Sequence, residues 1–234
     1  LPPAVANTLP PATQSPLSPR PSLPARSGLR TPPRIVVIAA STGGPNALVE
    51  FLPALPAHFP LPIVLVQHMP PVFTRCLAER LDPRCGLRVL ESQGEEPLRP
   101  GTVWIAQGGR HIEVARAGTD FVTRLTDAPP ESSCRPAADV LFRSAARVFG
   151  PSVIAVVMTG MGQDGLLGAG EIVAAGGRVL VQDRASCTVW GMPRAVEQAG
   201  LADLVVPLRE LASVLTSQVT ASSLALRAGY AGRA

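Results

Sequence analysis

From Arg34 onward, short apolar runs alternate with stretches in which apolar residues recur three and four positions apart. The runs at 35–40, 63–67, 87–90, 102–106, 112–116, 121–126, 152–158, 178–182 and 203–206 have strand length, and most are unbroken Val, Ile and Leu. Unbroken runs mark strands covered on both faces, where neither side needs polar residues. Helical spacing falls at 45–55, 72–82, 137–149, 166–175, 192–199 and 208–219. This alternation predicts an α/β fold: a doubly wound, mostly parallel sheet with helices on both faces. Thr102 to Thr126 departs from the rhythm. It carries three short strand-like runs with Gly108-Gly109 and Ala117-Gly118-Thr119 as turns, and reads as a small antiparallel hairpin excursion. No internal repeat is found.

Residues 1–33 follow other rules. They hold ten of the 26 prolines, with Ser, Thr and Ala between them and no hydrophobic period, as in a semi-extended linker. The expected organisation is a Pro-rich disordered linker over 1–33, one folded domain over 34–220 and a C-terminal tail over 221–234. The chain opens on Leu1. A linker in that position fits a fragment whose preceding domain lies outside the sequence; an unstructured native N-terminus is the alternative.

Composition narrows the class. With 234 residues, 46% hydrophobic and 16% charged, the chain can build one well-buried core. No apolar run approaches the ~20 residues of a membrane-spanning helix, and the opening segment lacks a charged region followed by an apolar one. A soluble, cytoplasmic protein without membrane insertion is expected. Cys76, Cys85, Cys134 and Cys187 are scattered, with no CxxC pair and no histidine at zinc-finger spacing, so they read as reduced, mostly packed thiols with no metal. All 21 basic residues are arginine, and Arg20, Arg26 and Arg30 in the linker account for most of the net +4. The folded part is close to neutral, which argues against nucleic acid as a partner.

Three residues stand at predicted strand ends. Ser41 follows the first strand in Ser41-Thr42-Gly43-Gly44-Pro45, just before a helix. His68 closes the second strand in Gln67-His68-Met69-Pro70-Pro71. Asp164 follows the strand 152–158 in Thr159-Gly160-Met161-Gly162-Gln163-Asp164-Gly165. Ligands of open parallel sheets bind at the carboxyl ends of the strands, so all three fall on one rim. A serine hydroxyl needs a base, imidazole with its ordinary pKa of about 6.5 suits that task, and a carboxylate fixes the imidazole tautomer. The order Ser, His, Asp and the lack of a G-x-S-x-G elbow set this apart from α/β-hydrolases. Gly43 and Gly44 let the backbone approach a ligand closely at a helix start.

Each residue also has an ordinary reading. Ser41 could be a helix N-cap, His68 a strand-end histidine bonded to backbone, and Asp164 a cap for the helix near Leu166; their coincidence on one rim favours a triad. His58, in a Pro-rich loop, and His111, opening a hairpin strand, read as structural or solvated. Gly160, Gly162 and Gly165 fit G-x-G-x-x-G, but Asp164 inside that loop would repel phosphate, and only Asp183 stands at the next strand end.

On these residues the chain resembles the catalytic domain of the chemotaxis protein-glutamate methylesterase family. The matching segments are Ala40-Ser41-Thr42-Gly43-Gly44-Pro45, Gln67-His68-Met69-Pro70-Pro71 with Phe73-Thr74-Arg75, Arg135-Pro136 with Asp139-Val140-Leu141-Phe142, Thr159 to Gly165, and Ala185-Ser186-Cys187 with Gly191-Met192-Pro193. They run in family order from residue 34 to about 208, and the resemblance implies a methylesterase catalytic domain over 34–220. The resemblance implies hydrolysis of γ-glutamyl methyl esters on chemoreceptor cytoplasmic domains to glutamate and methanol, with deamidation of receptor glutamines as a second activity. It implies Ser41 as nucleophile, His68 as base and Asp164 as its orienting acid, with Thr42, Gly43, Gly44, Met161 and Gly162 around the oxyanion and substrate. It implies no metal and no cofactor, and a phosphorylatable receiver domain as regulatory partner, N-terminal to a linker like 1–33. Departures from the family pattern are Cys134, where histidine is common, Gln107 and Gly109 after the Ile-Ala strand end, and Trp190 before Gly191. A catalytically idle docking module of the same fold is the alternative of another class.

Overall fold

The computed structural model describes the backbone of residues 31–231 and the side chains of residues 31–220. All but the end of the expected linker 1–33 lies outside the described residues. Seven strands form one parallel sheet: β1 (Ile35–Ala40), β2 (Ile63–Gln67), β3 (Arg88–Glu91), β4 (Thr102–Ile105), β7 (Val153–Val157), β8 (Arg178–Gln182) and β9 (Leu204–Val206). Their order is β3-β4-β2-β1-β7-β8-β9, every adjacent pair parallel. The remaining two strands, β5 (His111–Ala117) and β6 (Asp120–Thr126), form a separate antiparallel hairpin.

β1 lies at the centre and is buried along its whole length. Alternate residues of a strand face opposite ways, and here each face meets its own helical layer. Val36, Ile38 and Ala40 pack with α1 (Gly44–Phe51), α2 (Phe73–Leu81) and α6 (Leu208–Ala231). Ile35, Val37 and Ala39 pack with α3 (Ala138–Phe149), α4 (Leu166–Ala174), α5 (Met192–Gln198) and the inner face of the hairpin, Ile112 and Val114. Two apolar faces on one strand explain why β1 carries no polar residue.

The structure amends three expectations. The run at Thr102 is not part of the hairpin excursion: β4 pairs parallel with both β2 and β3 inside the main sheet. Val103 and Ile105 are fully buried there, an environment that a free hairpin could not supply. The helix expected over 45–55 ends at Phe51 and tightens into a 3₁₀ turn over Leu52–Ala54, where Pro53 has no N–H to continue the ladder. At the other end of the chain, the helix expected to stop at 219 continues to Ala231, through an Ala-, Ser- and Leu-rich segment with no proline.

The strand order reverses at β1. From β1 the chain moves to β2 on one side, and it returns to β7 on the other. A crevice therefore opens where the loops after β1, β2 and β7 diverge, the usual ligand position in such sheets.

Candidate active site

All three strand-end residues border that crevice. Ser41 is the residue after β1, His68 the residue after β2, and Asp164 sits in the loop between β7 and α4. Main-chain bonds tie the strand ends together: the Ser41 N–H donates to the Thr159 carbonyl (3.0 Å) and the His68 N–H to the Ala40 carbonyl (3.1 Å).

The His68 ring reaches Asp164. Nε2 lies 2.7 Å from Oδ2, and the two side chains are 12% and 3% exposed. The same carboxylate accepts the backbone N–H groups of Ala138 (2.6 Å), Asp139 (3.0 Å) and Gly165 (3.0 Å). Asp164 thus caps α3, whose first residues it meets from across the fold, rather than serving only its own helix. Burial works to raise its pKa, but the hydrogen bonds from His68, Ala138 and Asp139 outweigh that and hold it below the usual carboxylate range. A carboxylate held ionised requires a proton on Nε2, leaving the lone pair of the neutral ring on Nδ1.

Nδ1 faces Cys134, with Sγ at 3.6 Å. Burial, with the Asp164 charge behind it, raises the Cys134 pKa, so the sulfur carries its proton and the S–H donates to Nδ1. The Ser41 hydroxyl has no hydrogen-bond partner among the described residues, so it is free to turn.

The loop after β1 offers donors. Gly43 takes φ +82, a conformation that favours glycine, and α1 starts at the next residue with Pro45 in its first turn. The Gly44 N–H is not available to a ligand, because it donates to the Ser41 carbonyl at 2.8 Å. Among the described residues, the backbone N–H groups of Thr42, Gly43, Met161 and Gly162 have no acceptor. Met161 is 72% exposed beside Gly160, and a Cβ on Gly160 would stand 2.7 Å from that of Ser41.

Several supporting residues escaped the reading of the chain. Gln67 is buried, and its Nε2 donates to the Ser41 carbonyl (3.0 Å) and the His68 carbonyl (3.3 Å), bracing the ends of β1 and β2. Thr159 donates its hydroxyl to the Thr42 carbonyl (2.9 Å), and its own N–H is held by Gln182 Oε1 (2.8 Å). The signal was present: β2 and β8 are apolar runs that both end in glutamine, an odd residue to bury unless its amide has work on the rim. Asp139 is buried below Asp164, where its Oδ1 accepts the Gly168 N–H at 2.7 Å. Burial pushes its pKa up to about 6, and the Asp164 charge adds to the rise. His111, as expected, is structural: Nδ1 accepts the Ala137 N–H (3.1 Å) and Nε2 donates to the Pro129 carbonyl (3.1 Å). His58 is exposed in its loop.

A family model described as CheB methylesterase matches residues 36–215, which contain this entire arrangement. The chain belongs to the CheB methylesterase family. The CheB methylesterase catalytic domain of Thermotoga maritima is 41% identical, superposes with a TM-score of 0.78, and is matched over 79% of this chain and 98% of its own. Two relatives named protein-glutamate methylesterase/protein-glutamine glutaminase are similar over the same region. The one from Trichodesmium erythraeum is 51% identical over 79% of this chain and 53% of its own length. The one from Nocardioides sp. is 55% identical over 77% of this chain and 50% of its own. The chain thus spans about half the length of these CheB relatives. Among the described residues no helix is long and apolar enough to cross a membrane.

Proposed function

We propose that this CheB-family chain is a protein-glutamate methylesterase of the cytoplasm, cleaving γ-glutamyl methyl esters on chemoreceptor cytoplasmic domains to glutamate and methanol. Deamidation of receptor glutamines is the second activity proposed, since it passes through the same acyl-enzyme. The observation that carries the reading is the 2.7 Å contact of His68 Nε2 with the buried Asp164, on the rim that holds Ser41.

The chemistry follows from the tautomer. His68 keeps its Nε2 proton on Asp164 and uses Nδ1 as the base. Ser41 Oγ attacks the ester carbonyl as Nδ1 takes its proton. The oxyanion forms against the free N–H groups of the Thr42-Gly43 and Met161-Gly162 segments, each good donor worth about 3 kcal/mol in the transition state. Nδ1 then returns the proton to the departing methoxide, and methanol leaves. Water enters and gives a proton to the same nitrogen as its oxygen attacks the acyl carbonyl; Nδ1 then returns that proton to Ser41 Oγ as the serine leaves, and the glutamate side chain is released. Asp164 stays ionised throughout. The steps need no metal and no organic cofactor.

Exposed Val72 and Phe73, shortly after His68, and Met161 offer an apolar rim for a receptor helix. A phosphorylatable receiver domain is the regulatory partner proposed. Linking one to this chain is expected to lower turnover until it is phosphorylated, and unchanged turnover would contradict that.

The test is methanol release from methylated receptor signalling fragments, wild type beside Ser41→Ala. Release by the wild type and a loss of three or more orders of magnitude in the variant is expected. Near-full turnover by a folded Ser41→Ala protein would sink the mechanism. No release by either, together with no labelling of Ser41 by a fluorophosphonate, would favour an idle docking module.

A further inference from the structure

Cys134 meets Nδ1 of His68, the ring nitrogen that the proposed chemistry uses as its base, and the meeting is built into the local fold. Cys134 closes a tight turn with Glu131: its N–H donates to the Glu131 carbonyl (2.8 Å), and the Glu131 N–H donates to its carbonyl (3.1 Å). The two residues between, Ser132 and Ser133, take φ of +50 and +60, a conformation uncommon outside glycine. The Glu131 carboxylate is clamped by Arg143 of α3 at 2.5 Å. The sulfur is therefore presented by a held turn, not by a loose loop.

One ligand atom from each of His68, Cys134 and Asp164 lies within 4.8 Å of the other two. The spacing is informative. Zinc binds imidazole nitrogen at about 2.0–2.1 Å and thiolate sulfur at about 2.3 Å, so tetrahedral coordination sets those two atoms about 3.5 Å apart. The Nδ1 to Sγ distance is 3.6 Å. A metal ion could replace the shared thiol proton with little movement of either side chain. Asp164, already on Nε2–H, would then be the outer carboxylate that orients a metal-bound histidine.

We propose that His68 Nδ1 and Cys134 Sγ form an inhibitory site for a thiophilic divalent cation of the zinc class, with Asp164 as the outer carboxylate. The exchange balances simply. The thiol loses its proton to solvent, the sulfur and the Nδ1 lone pair each form a bond to the metal, and Nε2 keeps its proton on Asp164. Water fills the remaining positions. Nδ1 is then no longer able to accept the Ser41 proton, so the bound ion stops acyl transfer. The binding half of the inference stands on the geometry, whereas the inhibitory half rests on the proposed esterase mechanism.

Cobalt(II) and zinc test the halves separately, with the whole chain under reducing conditions. Cobalt titration of the wild type is expected to give a saturable thiolate-to-cobalt charge-transfer band at one equivalent. The band should survive Cys76→Ser, which removes the exposed thiol, and vanish in Cys134→Ser. Zinc should displace the cobalt. It should also slow methanol release, and each variant is compared with its own metal-free rate. The zinc concentration for half inhibition is expected to rise roughly 10- to 100-fold in Cys134→Ser. Absence of the band in folded wild type, or its persistence in Cys134→Ser, would overturn the site. Zinc binding with turnover unchanged would overturn the inhibitory role while leaving the site. Failure of the esterase reading itself would show as no methanol release without metal, and the cobalt band would still decide the binding half.

Discussion

The side chains at this rim divide by what each carboxylate is asked to do. Asp164 and Asp139 are both buried, yet their pKa values move in opposite directions: at Asp164 hydrogen bonds from a histidine and a helix terminus outweigh burial, whereas at Asp139 burial prevails and its neighbour's charge adds to the rise. Stability should follow. A depressed carboxylate contributes stability that is present above its unfolded value near pH ~4 and lost as pH falls through its folded value. Asp164→Asn should therefore cost most near neutrality, with the gap to wild type closing under acid. It should also lower kcat by about 10⁴, because the ring is no longer held in the tautomer that keeps its lone pair on Nδ1. Asp139, raised to about 6, contributes in the opposite sense: its share is full below pH ~4 and is lost as pH rises through about 6. Asp139→Asn keeps an oxygen for the Gly168 N–H and removes the buried charge. Denaturant titrations are expected to show it gaining on wild type between pH 4 and 7, by roughly 1–3 kcal/mol at the plateau. A flat difference across that range would show that the charge is not the cause.

Between elements, the spacing of β1, α1 and the β7–α4 loop depends on missing side chains. Gly160 lets the end of β7 lie against Ser41: a Cβ there would collide with Met192 Sδ and meet Ser41 Cβ at 2.7 Å. Gly160→Ala should push the Met161-Gly162 donors away from the serine. The expected outcome is a fall of about 100-fold in kcat with stability reduced by about 1–3 kcal/mol, read by methanol release and thermal unfolding on the same sample. Full activity would mean that those donors are not used. The hairpin is the element where local pattern misled. Three apolar runs in a row look alike, but β4 enters the sheet beside β2 whereas β5 and β6 cover α3.

Across the whole molecule, both helical layers are anchored on the same central strand. Truncations on the two faces of β1, Ile38→Ala and Val37→Ala, should each cost about 2–5 kcal/mol and lower Tm by roughly 2–4 °C per kcal/mol. Because each layer packs on the shared strand, unfolding should remain one transition in both variants, followed by calorimetry. Separate melting of the layers would show that β1 does not couple them.

The order of strands and helices along the chain, the burial of the sheet and the three polar residues that follow strand ends were legible in the chain, because unbroken apolar runs, helical periodicity and polar residues after a buried strand are local signals. The pattern alone puts Ser41, His68 and Asp164 on one rim, since parallel strands share their carboxyl ends. Tertiary structure alone decided which ring nitrogen of His68 meets the carboxylate, that Asp164 caps α3 from 26 residues away, and that Cys134 stands against Nδ1. It also decided that the Gly44 N–H is consumed within its turn and that buried Gln67 and Gln182 brace the rim. These contacts join residues remote in the chain through side-chain direction and hydrogen-bond geometry, which no periodicity along a sequence encodes.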